Sequence, residues 1–261
     1  MRALLWGLSL LLGLAWTLPV WGNDLVVVID DVGYNKARGM RAVHLPGPVT
    51  LAVLPFAPHT QVLVDAAVAA DRDLLIHQPM QTQSSPHARM EHDTLHMGMN
   101  EAEMHEALTR ALRAIPNRVG LNNHAGSLLT QHRAPMRSVM TELSKRNLIF
   151  LDSRTTAETV AYETANEMGV LAFKRDVFLD NIRTPEAINE AFQKALRVAR
   201  KNGTAIIIGH PYPATLDYLE TALEHLPADI RLVGISELAL KRRATLAQRT
   251  GPKSPRISLG R

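Results

Sequence analysis

The chain has 261 residues, with 29 Lys and Arg against 25 Asp and Glu, 11 His and no cysteine. Without cysteine there is no disulfide, no thiolate metal site and no cysteine nucleophile, so a fold of this size rests on one packed core and any metal on His, Asp or Glu. The net charge of +4 misleads: residues 241–261 hold seven cations and no acid, and Arg2 adds one, leaving 21 bases against 25 acids in residues 23–240. Nothing in that acidic body points to nucleic-acid binding.

Residues 1–22 read as a secretory signal. Arg2 is the positive start, Ala3 to Trp16 the apolar run, and Leu18-Pro19-Val20-Trp21-Gly22 the break before cleavage near Gly22. The run is short for a membrane span and no basic stop-transfer cluster follows, so an exported, periplasmic protein is expected, with an uncleaved anchor as the alternative. Next comes Asp24 to Gly33, in which Leu25-Val26-Val27-Val28-Ile29 runs straight into Asp30-Asp31. Such an unbroken run reads as a strand buried on both faces of a parallel sheet. Two adjacent carboxylates at its end repel each other and need a divalent metal, a shared proton or a nearby cation, unless one merely caps the next helix.

A short helix over 34–44, a strand over 47–54, a helix over 59–70 and a strand over 74–77 follow, with Pro55, Pro58 and Pro79 as stops. Residues 80–99 lack periodicity and read as a lid. Over residues 80–105, five Met (Met80, Met90, Met97, Met99, Met104) and four His (His87, His92, His96, His105) leave a copper site as the weaker reading. Asn100 with Glu103 three residues on resembles a capping box opening a helix that ends at Pro116. The second half repeats the rhythm: strands over 119–123, 148–151, 170–173 and 204–208, and helices over 135–146 and 157–168. Another helix opens at Thr184-Pro185 and closes at Gly203; a helix over 215–225 and a strand–helix over 232–240 finish the body. Residues 241–261 read as a basic disordered tail able to touch an anionic envelope surface.

Seven or eight β–α alternations fit a parallel barrel or a doubly wound open sheet. The strand ends decide for the barrel. Asp30 and Asp31, then His77, then Asn122, Asn123 and His124, then Asp152 and Arg154, and finally His210 all stand where strands stop. A barrel gathers such ends on one face, whereas an open sheet strings them along an edge. Each has a bland explanation alone, since Asn suits turns and Asp caps helices. Together they supply a catalytic zinc site with three protein ligands, Asp31, His77 and His124, and one open position. Asp30 then stands as general base and His210 as general acid. Asp152 and Arg154 orient substrate or ligands, with Arg154 neutralising Asp30 or Asp152. The reaction class is metal-assisted hydrolysis.

Taken in order, Ile29-Asp30-Asp31-Val32-Gly33, His77-Gln78-Pro79-Met80-Gln81, Gly120-Leu121-Asn122-Asn123-His124-Ala125-Gly126-Ser127, Phe150-Leu151-Asp152-Ser153-Arg154-Thr155-Thr156 and Gly209-His210-Pro211 resemble the divergent polysaccharide deacetylases. These are a bacterial envelope branch of the NodB-like carbohydrate esterases, and the likeness covers nearly all of residues 24–240. It implies an α/β fold, a distorted parallel (β/α) barrel of about seven strands. It also implies a divalent metal, zinc foremost, that serves to remove acetyl groups from an envelope glycan or peptidoglycan fragment, with Asp30 as base, Asp31 as ligand and His210 as acid. The chain departs from the wider superfamily in two places: Gln81 stands where a second histidine follows the first, and the Arg-x-Pro-Tyr segment is missing. Trp6, Trp16 and Trp21 all fall in the signal, leaving Tyr34 and Tyr212 as the aromatics nearest the site. A non-catalytic envelope partner that keeps the barrel is the competing expectation.

Overall fold

The computed structural model describes residues 22–84 and 93–250. The expected signal, apart from Gly22, lies outside the described residues, as do His87, Met90 and His92 of the copper reading and residues 251–261 of the tail.

Among the described residues nine strands, all paired in parallel, form one sheet. They are β1 (Asn23–Val32), β2 (Thr50–Val53), β3 (Leu74–Met80), β4 (Arg118–Ala125), β5 (Ile149–Asp152), β6 (Ala172–Lys174), β7 (Val177–Phe178), β8 (Thr204–Gly209) and β9 (Ile230–Leu232). Their order is β6-β5-β4-β3-β2-β1-β8-β7, with β9 beside the first residues of β1. The path starts and ends on β6 and β7, which only Arg175 and Asp176 separate in sequence. Arg175 N–H donates to Asp152 O (3.0 Å) on one side of the gap and Asp176 N–H to Ile206 O (2.9 Å) on the other. The curled sheet is thus closed by two residues where a ladder is missing, and the expected NodB-like (β/α) barrel is the fold. The two-residue β7 is too short to show as a hydrophobic run, which is why the sequence pattern passes over it.

The alternation of β1 splits the core in two. Leu25, Val27 and Ile29 face the outer helices, while Val26 and Val28 face inward with Ala52, Leu75, Ile206 and Ile208. An unbroken Val/Ile run is what a strand covered on both sides requires. The outer layer comprises α1 (Lys36–Val43), α2 (Thr60–Ala69), α3 (Glu101–Ala114), α4 (Arg133–Ser144), α5 (Ala161–Glu167), α6 (Pro185–Asn202) and α7 (Pro213–Ala222). The sequence signals at helix ends work as expected. Asn100 and Glu103 close a complete capping box on α3, Thr184 caps α6 ahead of Pro185, and Gly203 ends it at φ 76°. Helix α5 starts four residues later than its pattern suggests. Thr159 Oγ1 donates to Asp152 Oδ2 (2.9 Å) and Val160 N–H to Thr130 O (2.8 Å), so the first turn is held as loop.

The last helix, α8 (Ile235–Thr250), plugs the base of the barrel with Ile235, Leu238 and Ala239. It also corrects the expected tail, because residues 241–250 are helical. No helix breaker occurs before Gly251-Pro252, and the helix is tied down as it leaves the plug. Lys241 Nζ donates to Asp24 Oδ2 (2.7 Å) and Arg243 to Asn147 O (2.9 Å). No helix of the described residues is long and apolar enough to cross a membrane.

Candidate active site

The mouth of the barrel, opposite the α8 plug, collects the polar strand ends. In a regular strand Asp30 and Asp31 would point to opposite faces. Here the pairing of β1 with β2 shifts register between Ile29 and Val32, and Asp31 takes φ 56°. That turn brings both carboxylates to one atom: His77 Nε2 lies 3.1 Å from Asp31 Oδ1 and 3.7 Å from Asp30 Oδ2. Gly33 makes the turn possible. At φ 143° a Cβ there would come within 2.7 Å of Ala57 Cβ.

His124, from the end of β4, completes a triangle. Its Nδ1 lies 2.9 Å from Asp31 Oδ1 and 3.1 Å from His77 Nε2. Donors of a tetrahedral zinc site, at bonds of about 2.05 Å, stand roughly 3.3 Å apart, so the three atoms fit one ion after small outward shifts. The hydrogen-bond shell fixes the tautomer this needs. Asn122 Nδ2 donates to Asp30 Oδ1 (2.8 Å), so Asn122 Oδ1 must accept from His77 Nδ1–H (2.8 Å), leaving the Nε2 lone pair for the cluster. A carboxylate and two imidazoles are a donor set suited to zinc. Asp31, His77 and His124 are the one such cluster among the described residues.

The electrostatics agree. Burial opposes ionisation of Asp31, yet hydrogen bonds to His124 and His77 and their charges hold it far below the usual carboxylate range. Burial pushes Asp30 up, against the pull of His77, His210 and Asn122, which suits a base that must accept a proton. His77 resists burial because Asp30 and Asp31 lift it to about 9. A divalent cation bound at these atoms would compete with the proton on His77, so metal binding there would release protons.

His210 closes the far side, with Nε2 3.9 Å from Asp31 Oδ2. Sequence reasoning missed what holds it. Asp180, buried beyond β7, accepts from His210 Nδ1–H (2.9 Å), His210 N–H (2.6 Å) and Thr215 Oγ1 (2.9 Å). Burial would lower His210, but that hydrogen bond and charge raise it. The one available signal was an acid after a short apolar pair, Val177-Phe178, which no periodicity marks as a strand.

Other expected residues are placed differently. Asn123 stitches loops, accepting from Ser153 N–H (2.9 Å) and donating to Ala125 O (2.7 Å). Asp152 is buried and accepts from Arg154 N–H (2.8 Å) and Thr159. Arg154 therefore meets Asp152 through its backbone and leaves its side chain exposed, so it does not neutralise the buried carboxylates as expected. The guanidinium in electrostatic range of both Asp30 and Asp152 is that of Arg175, held by the carbonyls of Ser153 (2.7 Å) and Arg154 (2.8 Å). It escaped notice for the same reason as Asp180, since it sits beside the unrecognised β7. Gln81 is no ligand; its Oε1 accepts from Met97 N–H (2.8 Å) and pins the loop after β3.

A NodB-like barrel with an Asp-His-His cluster at its mouth defines the class. The chain belongs to the divergent polysaccharide deacetylase family, whose model matches residues 27–239. An uncharacterised protein of Haemophilus influenzae is 38% identical over 216 residues, 83% of this chain and 76% of that one. The crystal structure of the uncharacterised protein ATU2773 from Agrobacterium tumefaciens superposes with a TM-score of 0.79 at 25% identity, covering 83% of this chain and 89% of that one. The peptidoglycan deacetylase PdaC from Bacillus subtilis shares the fold at 14% identity, with a TM-score of 0.51 over 89% of this chain and 97% of its own.

Proposed function

We propose that the protein is an exported, metal-dependent hydrolase that deacetylates an envelope carbohydrate at an amide or ester acetyl group. The observation that carries this reading is the triangle of Asp31, His77 and His124, whose donor atoms stand 2.9–3.1 Å apart. A divalent ion bound there, zinc being the best match, would polarise the acetyl carbonyl and lower the pKa of a ligated water to about 7. Asp30 stands beside that position to take the water's proton, and Asn122 holds its other oxygen in place. His210, whose Nδ1–H Asp180 holds and whose pKa that carboxylate raises, turns Nε2 toward the cluster, where it would give a proton to the leaving sugar nitrogen or oxygen. Arg175 offsets the buried negative charge from behind.

Membership in the family and the fold shared with a peptidoglycan deacetylase favour acetylated glycan or peptidoglycan fragments as substrates. Export is supported by residues 1–22, after which β1 begins at once with Asn23. Cell fractionation and the N-terminal mass of the mature protein test it. Contact of the basic 241–261 segment with an anionic envelope surface belongs to the same reading. Purified protein reconstituted with zinc should hold about one ion and release acetate from N-acetylated oligosaccharides or peptidoglycan fragments. Failure to take up any divalent ion would end the mechanism.

A second reading, a non-catalytic envelope partner, is favoured by one observation. The body has no tryptophan, and the loops after β1, β2 and β7 expose Tyr34, Phe56 and Ile182 as a docking face would. An Asp30→Ala strain that behaves like wild type, where a deletion strain does not, would select it.

A further inference from the structure

The rim beside His210 carries cations that the reaction does not use. Tyr212 sits between Pro211 and Pro213, which fix its backbone at the start of α7. Its ring packs at a tilt against His210 (centroids 5.4 Å) and lies under the Arg183 guanidinium (3.7 Å to the ring centre). Arg183 also donates to Tyr212 Oη (2.9 Å). The result is a His–Tyr–Arg stack that holds a flat guanidinium within about 9 Å of the His210 ring, the sum of the two separations. Arg38 lies in electrostatic range of the same Tyr212 hydroxyl.

Neither Arg38 nor Arg183 makes an ion pair with a carboxylate among the described residues. The body as a whole is acidic, 21 bases to 25 acids in residues 23–240, so a basic rim is not its average character. Arginine stacked on an aromatic ring is only weakly hydrated and presents its outer N–H edge as a fork that matches a carboxylate. An anion drawn to that fork would lie next to the proton donor and outside the Asp30–Asp31 pair, which would repel it from the centre.

The geometry points to an anionic substrate: an acetylated sugar that itself carries a carboxylate, bound by Arg183 on its Tyr212 platform with Arg38 in support. This rests on the deacetylase reading and narrows it, since the distance from the Arg183 guanidinium to His210 is one that a single pyranose ring with its substituents spans. Two kinds of sugar offer that chemistry, one with an ether-linked lactyl acid, as in N-acetylmuramic acid, and one with a ring uronate.

The test is binding, so that it does not depend on turnover. Zinc-loaded full-length protein is titrated calorimetrically with N-acetylmuramic acid, its carboxamide, an N-acetylhexosaminuronic acid and N-acetylglucosamine. At least one acid is expected to bind about tenfold or more tightly than its neutral counterpart, with the preference shrinking as salt is raised. Which acid wins assigns the lactyl or the ring position. Arg183→Gln should erase the preference and Arg183→Lys restore part of it, while Arg113→Gln, on the outer helix α3, should leave it whole. Equal affinity for acid and amide, no binding of either acid, or a preference that survives Arg183→Gln would each overturn the inference. A clear acid preference in a protein that releases no acetate would leave the inference standing and sink the hydrolase reading instead.

Discussion

At the base of the barrel Asp24 accepts from Arg231 (2.8 Å) and Lys241 (2.7 Å), and Glu237 meets Arg231 again from α8 (2.7 Å). Six and seven residues along the same strand, Asp30 and Asp31 have no lysine or arginine within 4.0 Å among the described residues and face histidines and, at Asp30, the Asn122 amide. One strand thus carries carboxylates of both kinds. Those at the base are neutralised by the chain itself and fasten the plug. Those at the mouth make no direct ion pair with a lysine or arginine and are left to be neutralised by protons or by an ion, with Arg175 acting only at a distance. Segregating charge in this way costs stability and is the usual signature of a site that awaits a ligand.

The largest effects should therefore come from the mouth and fall on function. Asp31→Ala or His124→Ala should reduce bound zinc from about one ion to almost none, as elemental analysis would show, and abolish acetate release. Asp30→Asn should keep the ion yet slow the reaction by about 10²- to 10⁴-fold. Its melting temperature should equal or exceed that of wild type, because the buried charge it removes is disfavoured by burial. Asp180→Asn should cost a similar factor and add a signature in the pH profile. His210 must be protonated to act as acid, so activity falls as pH rises through its raised folded pKa. Without the Asp180 charge that fall should move to lower pH. A profile that does not move would show that His210 is not the acid.

Much of the mouth was legible because several of its polar residues end apolar runs long enough to see. Val26 to Ile29 announces Asp30 and Asp31, Leu74 to Ile76 announces His77, and Thr204 to Ile208 announces His210. The expectation that His124 joins Asp31 and His77 came from the sequence as well, and β4 does bring it beside them, next to Pro79 in the β3 ladder. What escaped notice was carried by structure without a pattern. Two-residue β7 hides both Arg175 and Asp180, so the cation for Asp30 was sought at Arg154, which only its backbone ties to Asp152. The α8 extension was hidden by composition, because Lys and Arg suit both a disordered tail and a helix end. Only Asp24, six positions before Asp30 and distant in sequence from Lys241, distinguishes the two.

Glu142 on α4 tests whether a paired carboxylate away from both ends obeys the rule of the base. It is buried, yet Lys145 (2.7 Å), Arg146 (2.6 Å) and His105 (2.9 Å) hold it down to about 2 from its ordinary 4.5, against the upward push of burial. A depressed carboxylate stabilises the fold above its unfolded pKa and loses that contribution as pH falls through its folded value. Glu142→Gln should cost about 1–2 kcal/mol at neutral pH, a figure reduced because its partners are largely exposed. The cost, read by urea unfolding, should shrink between pH 4.5 and about 2.

The smallest effect is expected at Asp24, and it bears most directly on the contrast between the two ends. Burial raises its pKa although Arg231 pulls the other way. The charge is tolerated there more than it is favoured. Its partners are far from buried, since the side chains of Arg231 and Lys241 keep 46% and 36% of their exposure, and each retains Glu237 when Asp24 is neutralised. No cation would be stranded, which is the circumstance that makes a broken buried pair expensive. Asp24→Asn should then cost roughly 1 kcal/mol or less and leave zinc content and acetate release at wild-type levels. Lowering the pH should widen the gap slightly, since a carboxylate whose folded pKa is raised gains native-state stability as it takes up its proton, a gain the Asn variant lacks. A loss of zinc or activity in Asp24→Asn would break the separation of base from mouth, because it would mean that β1 transmits strain from the plug to the bend that aims Asp31.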